Sequence, residues 1–364
     1  ILLDHNIDRF AKNGVKGIKT KILIVLRMGM YAIAKMDSVP SYAAVNETVS
    51  LVGKVSPGAK GFVNGVLRAF EREGGKLLIP SYNDKLKEIS FKYSFPYHLV
   101  RFLSKQYGED KIEEIIEGLY DIPELNIRVN SNKCSREELL CRLRERGIKA
   151  RENVLSKNGI IIDEGMILNT PEFSRGMFTI QSSSSLRSIE RLAPKPCDKV
   201  LDICAAPGGK TTAMAELMLD SGEILASDIH EHRVKLIREL SSRLELSCID
   251  AITMDASIYN EDMKEKFDKV LADVPCSGLG VIAGKPELKL RVDLNKFPGL
   301  YQLQYKILEN AFLYLKPGGY LMYSTCTINK RENEQIVSRL CDTFENACIV
   351  EYNSILPYNK QVGF

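Results

Sequence analysis

Val200-Leu201-Asp202-Ile203-Cys204-Ala205-Ala206-Pro207-Gly208-Gly209-Lys210-Thr211 is the stretch that decides the fold. Its apolar start reads as a buried strand, and the small residues after Cys204 read as a tight turn in front of a helix. Such a turn lets backbone approach a ligand closely and presents a helix N-terminus to it. Two common ligand loops are excluded. A phosphate-cradling loop needs Gly-x-x-x-x-Gly-Lys-Thr, and although Gly209-Lys210-Thr211 supply its end, Cys204 stands where its first glycine belongs. The dinucleotide fingerprint Gly-x-Gly-x-x-Gly is absent as well.

Working outward, further strands are expected at Glu223-Ser227, Ala251-Met254, Lys269-Ala272 and Tyr320-Ser324, with helical stretches between most of them. That alternation predicts an α/β fold with a doubly wound, Rossmann-like parallel sheet, whose ligands bind at the carboxyl ends of the strands. Asp228 ends the second strand, 19 residues after Gly209, where a carboxylate can accept hydrogen bonds from both hydroxyls of a ribose. Asp255 and Asp273 end the third and fourth. Taken singly, each of these could simply cap the helix that follows. Together with the turn they form a negative rim that suits a cationic sulfonium better than a pyrophosphate, so the expected cofactor is S-adenosyl-L-methionine.

Asp273-Val274-Pro275-Cys276-Ser277-Gly278 follows the fourth strand and Ser324-Thr325-Cys326-Thr327 the fifth, so both thiols should open into the crevice. A thiolate that adds to carbon 6 of a cytosine breaks its aromaticity and makes carbon 5 nucleophilic toward the cofactor methyl, which divides one difficult step into two. A carboxyl such as Asp273 can hydrogen-bond the ring nitrogen, while a base removes the carbon 5 proton before the thiol leaves. Spacing leaves open which cysteine attacks, since a Pro-Cys dipeptide is the attacking group in DNA cytosine methyltransferases and points to Cys276. Cys134, Cys141, Cys197, Cys248, Cys341 and Cys348 are read as small buried hydrophobes.

Upstream, apolar residues recur at helical spacing from Ile18 to Phe70, broken at Pro40 and Ser56-Pro57-Gly58. Further helices are expected from Lys85 to Tyr107 and from Lys111 to Tyr120. Strands at Leu125-Val129 and Gly159-Ile162 around a helix near Ser135-Arg146 predict a small α/β module. With 364 residues the chain exceeds one ordinary core. The expected parts are residues 1–80, all helical; 81–195, a helical linker with the small module; and 196–364, the parallel-sheet domain. Lys and Arg number 50 against 47 Asp and Glu, so the chain is no polycationic wrapper and nucleic-acid contacts must be local. The cations Arg136, Arg142, Arg144, Arg146, Lys149 and Arg151 alternate with acids and read as a solvated face. None of the nine cysteines is spaced Cys-x-x-Cys and only four histidines are present, so no metal is expected and the thiols read as reduced and cytoplasmic. No apolar run is long enough for a membrane span and no signal-peptide pattern opens the chain. Ile1 is no initiator, so a missing start is expected, and the chain stops at Phe364 about where a last strand would fall.

Cys204 through Thr211, Asp273 through Gly280, and Ser324-Thr325-Cys326-Thr327 with Glu332-Asn333-Glu334 together resemble the RNA cytosine-5 methyltransferases. Tyr42-Ala43-Ala44-Val45-Asn46-Glu47 and Gly61-Phe62-Val63-Asn64-Gly65-Val66-Leu67-Arg68 resemble the NusB-like helical domain that marks the RsmB branch. The resemblance implies a class I methyltransferase domain behind a NusB-like RNA-binding domain, and a small-subunit (16S) ribosomal RNA cytidine as substrate. It implies Cys326 as nucleophile, Cys276 as the residue that assists release, and Asp273 and Lys210 as their catalytic companions. It further implies cofactor contacts from Cys204, Ala205, Ala206, Pro207, Gly208, Gly209 and Lys210, and from Asp228, Asp255 and Asp273. The chain is expected to act as a monomer. Ala283-Gly284 stands where relatives usually carry two arginines, Leu290 where they carry Trp, and Ser182 where they carry Asp. The competing readings are a transfer RNA cytosine-5 methyltransferase, which usually lacks the NusB-like part, and a catalytically impaired RNA-binding assembly or antitermination factor.

Overall fold

Breaks at Pro40 and Ser56-Pro57-Gly58 divide the first half of the chain into the helices that build its core. In the computed structural model, which describes residues 1–350, the chain falls into two units, Ile1–Glu117 and a second that starts at Gly118. The first holds α1 (Leu2–Asp8), α2 (Thr20–Lys35), α3 (Ser41–Val55), α4 (Lys60–Arg72), α5 (Lys85–Lys92) and α6 (Tyr97–Tyr107), with α7 (Ile112–Gly118) at its end. Leu26 and Met30 of α2, Val45 and Val52 of α3, and Val63, Leu67 and Phe70 of α4 interlock around Ile7 of α1. They stand three, four or seven positions apart within each helix, the spacing that places side chains on one helical face. The sequence pattern does not announce α1, whose Asp4, His5, Asn6 and Asp8 dilute its apolar signal. Tertiary bonds hold it instead: Arg27 donates from Nε and Nη2 to Asp4 at 2.6 and 2.7 Å. The buried Asn6 exchanges hydrogen bonds with the backbone of Leu78.

The second unit opens with the small module: β1 (Leu125–Val129), α8 (Arg136–Glu145), β2 (Lys149–Glu152), β3 (Gly159–Glu164), α9 (Pro171–Ser174) and β4 (Phe178–Ile180). Its antiparallel sheet runs in the order β2-β3-β1-β4. The two strands expected from sequence occupy its centre. The two that pattern reading misses are the edges, four and three residues long, and β2 buries only Ala150 between charged neighbours. The cations around α8 are committed to carboxylates, as a solvated face requires, except Arg144, which donates to the Ala150 carbonyl at 3.3 and 3.1 Å. Arg136 pairs with Glu152, Arg142 with Glu138, Arg146 with Glu172, Lys149 with Glu164, and Arg151 with Glu124 and Asp163.

After α10 (Ser183–Leu192) the parallel sheet follows: β5 (Lys199–Asp202), α11 (Gly209–Leu217), β6 (Glu223–Asp228), α12 (Glu231–Leu244), β7 (Ile249–Thr253) and β8 (Phe267–Asp273). The short α13 (Leu288–Arg291), then α14 (Phe297–Leu313), β9 (Leu315–Ser324) and α15 (Glu334–Thr343) complete it. Every neighbouring pair is parallel, in the order β7-β6-β5-β8-β9. Val200 and Leu271 face a core with Met214 of α11, while Leu201, Val270 and Ala272 face one with Ile307 and Ala311 of α14, so both faces of the sheet are covered. The chain winds from β5 toward β7 on one side and from β8 to β9 on the other. The strand order therefore reverses beside β5, the place where open sheets form their crevice. Asp255 stands two positions beyond the end of β7 at Thr253, rather than within the strand. The last strand expected near Phe364 lies outside the described residues.

Arg128 of β1 joins the small module to the sheet domain. Buried to 2% exposure, it donates to Glu216 of α11 from Nε and Nη2 at 2.8 Å each, to Thr212 at 2.9 Å, to the Gly209 carbonyl at 2.7 Å and to Gln181. A guanidinium has five N–H donors in a fixed fork, and this site uses all of them. Removing one partner of a buried pair strands the other, at a cost of about 3–5 kcal/mol. Arg128→Met should therefore lower unfolding stability by about that amount in denaturant titration. Arg128→Lys should recover little of it, because an ammonium cannot reproduce the fork.

Candidate active site

The turn after β5 is bonded into the ends of its neighbours. Ile203 N donates to the Leu271 carbonyl at 3.0 Å and Ala205 N to the Ser227 carbonyl at 2.8 Å. The chain then passes through a cis Ala206-Pro207 bond to Gly208, which starts α11 with φ at +100°. A Cβ there would lie 3.2 Å from the Ile237 Cα of α12, so conformation and space both demand glycine. Asp202, at the end of β5, accepts from the Thr211 hydroxyl at 2.7 Å through Oδ2, while its Oδ1 is buried without a hydrogen-bond partner. Burial pushes its carboxyl up to about 7, against the opposing hydrogen bond from Thr211. Burial likewise drives the Cys204 thiol upward, and Asp202, Asp228 and Asp273 add to the effect, so this cysteine is inert.

The three strand-end carboxylates have different neighbours. Asp228 accepts from His230 N at 3.2 Å and pairs with Arg233 at 3.1 Å, and Arg233 also donates to the Ala206 carbonyl at 3.0 Å. Asp255 accepts from the backbone and hydroxyl of Ser257 at 2.9 and 2.7 Å. Each of these two stabilises the turn that follows it, the capping role that a lone Asp would suggest. Asp273 instead meets Lys210, with Nζ 2.5 Å from Oδ2. Ser324 completes that cluster, donating to Asp273 Oδ1 at 2.6 Å and accepting from Lys210 at 3.3 Å.

Strand register brings the two cysteines together. Asp273 of β8 lies opposite Ser324 of β9, and the chains leave the sheet side by side toward Cys276 and Cys326. Their sulfurs stand 2.9 Å apart, and Cys326 N donates to the Cys276 sulfur at 3.2 Å. Gly280 N donates to the Cys326 carbonyl at 3.0 Å, and a Cβ on Gly280 would come within 2.9 Å of that oxygen. The Cys326 thiol is shifted down, chiefly by the hydrogen bond from Cys276, with burial opposing and Lys210 and Lys285 assisting. Cys276 is shifted up, first by that same bond and then by burial. The pair thus divides into a more acidic thiol on β9's loop and a proton-holding one on β8's loop. Spacing alone could not make that distinction.

Elsewhere, burial raises Cys134 to about 11 and Cys248 to about 12. Cys141, Cys197 and Cys348 are exposed and Cys248 and Cys341 only half-buried, which corrects their assignment as buried hydrophobes; Cys141 lies against Glu145 and Cys197 against Ser221. Among the described residues no His, Cys, Asp and Glu cluster could hold a metal ion. Sequence reasoning gave no role to Ser324 or Arg128, although the alignment of the ends of β8 and β9 would have pointed to the serine. Ser182 accepts from Ser185 N at 3.3 Å and caps α10, so it retains the capping function an Asp would serve there. Leu290 is exposed.

Residues 189–364 match the family model described as 16S rRNA methyltransferase RsmB/F. Residues 1–72 match the NusB family, and residues 95–169 the ferredoxin-like domain of RsmF/B-like methyltransferases. The chain is 36% identical over 342 residues to the "Probable ribosomal RNA small subunit methyltransferase B" of Bacillus subtilis, covering 93% of this chain and 75% of that one. It is 32% identical over 359 residues to the ribosomal RNA small subunit methyltransferase B of Proteus mirabilis, covering 98% and 83%. A solved structure of a methyltransferase homolog from Pyrococcus horikoshii superposes with a TM-score of 0.65 at 31% identity, over 72% of this chain and 84% of that one.

The hydrogen bond between the thiols has a consequence that can be titrated. Because Cys276 lowers Cys326, Cys276→Ala should move the midpoint of Cys326 alkylation by iodoacetamide to higher pH and slow alkylation at neutral pH. Peptide mapping by mass spectrometry reads the site, and a midpoint that stays put would show that the bond does not tune the thiol.

Proposed function

The chain belongs to the ribosomal RNA small subunit methyltransferase B family, and from that premise we propose that it methylates carbon 5 of one cytidine in 16S ribosomal RNA, with Cys326 as covalent nucleophile and S-adenosyl-L-methionine as methyl donor. The observation that carries the reading is the 2.9 Å pair of sulfurs beside the Lys210–Asp273 ion pair, at the carboxyl edge of a parallel sheet.

The residues present fit the cofactor. Gly208 lets the turn from Cys204 to Lys210 pack closely against α12, and the orphaned Asp202 Oδ1 beneath it is a buried acceptor suited to a cationic ligand. In this reading Asp228 takes the ribose, with Asp255 and Asp273 completing the negative rim. When bound, the cofactor supplies the methyl group that carbon 5 receives. The remaining work falls to the protein. Cys326 adds to carbon 6, and Asp273 hydrogen-bonds the ring nitrogen while Lys210 offsets the charge that develops on the ring. After methyl transfer the carbon 5 proton leaves to a base, and Cys276 assists as Cys326 departs, the role that the family resemblance implies. A thiol cannot reach carbon 6 inside stacked, paired RNA, so the target cytidine is single-stranded or flipped out. Residues 1–80 and 81–195 serve RNA binding and 196–364 the chemistry, a division supported by the three separate family matches. No described helix is long and apolar enough to cross a membrane, and a ribosomal RNA substrate agrees with action in the cytoplasm.

Methyl-labelled S-adenosylmethionine with unmodified small-subunit ribosomal RNA should place label in one cytidine, identified by sequencing as 5-methylcytosine. Cys326→Ala should abolish it, and Cys276→Ala should accumulate a protein–RNA adduct. Label in transfer RNA alone would move the substrate, and no label despite cofactor and RNA binding would favour a non-catalytic RNA-binding role.

Asp202 predicts a pH dependence for the cofactor. Its folded value near 7 lies above the ordinary carboxylate range, so the ligand-free protein keeps this proton up to about that pH. A cationic ligand favours the ionised form, and S-adenosylmethionine affinity measured by calorimetry should rise as pH climbs through about 7. Asp202→Asn should flatten the profile.

A further inference from the structure

Glu332 is fully buried in the turn between β9 and α15, and the reading above gives it no part. Its Oε2 accepts from Ser277 N at 2.8 Å and from Gln304 Nε2 at 2.9 Å. Its Oε1 accepts from the Ser277 hydroxyl at 2.5 Å, from Asn329 Nδ2 at 2.9 Å and from the Thr327 hydroxyl at 3.4 Å. All these donors are neutral. Burying a carboxylate is expensive unless its lone pairs are filled, and here they are filled largely by the two cysteine loops. Ser277 adjoins Cys276 and Thr327 adjoins Cys326, and the two hydroxyls also meet each other at 2.8 Å. Gln304 of α14 makes a further bond to the Pro275 carbonyl at 2.9 Å, and the Tyr323 hydroxyl donates to the backbone carbonyl of Glu332 at 2.7 Å.

We propose that Glu332 is a positioning residue: its carboxylate fastens the loops of Cys276 and Cys326 to one another and fixes the distance at which one thiol hydrogen-bonds the other. An acceptor-only group is required, because every neighbour that meets it is a donor. A Gln side chain of the same shape would turn an N–H₂ toward donors on one side, and the loops would separate to relieve the clash. The inference rests on the two-cysteine reading of the site, but its test needs neither RNA nor turnover.

Phenylarsine oxide bridges two thiols only when they are close, forming two As–S bonds with loss of water. In the intact protein it should capture Cys276 and Cys326 together and protect Cys326 from iodoacetamide, with Cys276→Ala as the control that cannot be bridged. Glu332→Gln should stay folded at assay temperature and bind cofactor while bridging falls by roughly tenfold or more, the scale of losing a charged hydrogen-bond network. The pH profile adds a test of sign. Removing a nearby negative charge would by itself make Cys326 more acidic, whereas losing the Cys276 donor makes it less so. An alkylation midpoint displaced to higher pH supports positioning. A midpoint displaced to lower pH, or bridging at the normal rate, overturns it and makes Glu332 a bystander charge. Should Glu332→Gln fail to fold, Ser277→Ala removes one donor at less structural risk, and unchanged bridging there is equally decisive against the proposal. Methylation by Cys326→Ala, with bridging normal in the unaltered protein, would overturn the nucleophile assignment alone.

Discussion

Parallel pairing of β5, β8 and β9 is the constraint on which the site depends. Parallel strands all end at one edge of a sheet, so residues far apart in sequence converge there when each follows a strand. Lys210 arrives from the first turn of α11, just after β5, Asp273 from the end of β8 and Ser324 from the end of β9. The register that places Asp273 opposite Ser324 lets all three bond together. Cys276 and Cys326 then leave the sheet in step. Slippage of β9 by one residue would invert the faces its side chains meet and separate the sulfurs, so covered faces on both sides of the sheet protect the chemistry as well as the core.

That edge carries more negative charge than its few cations balance, and the protein divides the load by burial. Asp228 has Arg233, Asp273 has Lys210, and Glu332 has only neutral donors. Asp202 has one hydroxyl and an empty oxygen, and burial raises it to about 7. Arg128 makes the turn after β5 answer to a second part of the molecule, since the guanidinium that anchors β1 also holds the Gly209 carbonyl and Thr212. A displacement of the small module would therefore reach the turn through one rigid group.

The sheet, the turn after β5 and the place of both cysteines beyond strand ends were legible in the sequence because each announces itself locally. Strands alternating with helices mark the fold, and small residues after a strand mark the turn. What stayed hidden depends on contacts between distant segments. The edge strands β2 and β4 carry too few buried residues to be distinguished from loop, and α1 has too little apolar surface to be distinguished without Arg27 and Leu78. Neither the spacing of Cys276 and Cys326 nor the burial of Glu332 is encoded in any short window. Both arise from register and from Gln304 on a helix that precedes β9. Residue types also mislead when burial is assigned from them alone, as the exposed Cys141, Cys197 and Cys348 show.

The departures from the family pattern lie outside the bonded heart of the site, and their positions decide what they can affect. Ser182 keeps its helix cap through a hydroxyl, losing charge but retaining the acceptor. Leu290 offers an exposed aliphatic surface where an indole would offer a stacking face, and Ala283-Gly284 offers no cation. None of these residues bonds Lys210, Asp273, Cys276 or Cys326, so the departures change the surface around that cluster and leave its bonds as they are. Lys289 does not restore the missing charge in simple form: its ammonium lies over the Tyr120 ring at 4.5 Å and donates to that hydroxyl at 2.6 Å, and burial lowers its affinity for a proton. The cations left in this segment are Lys285, which lies near enough to act on Cys326, and Arg291, so its charge is reduced rather than removed.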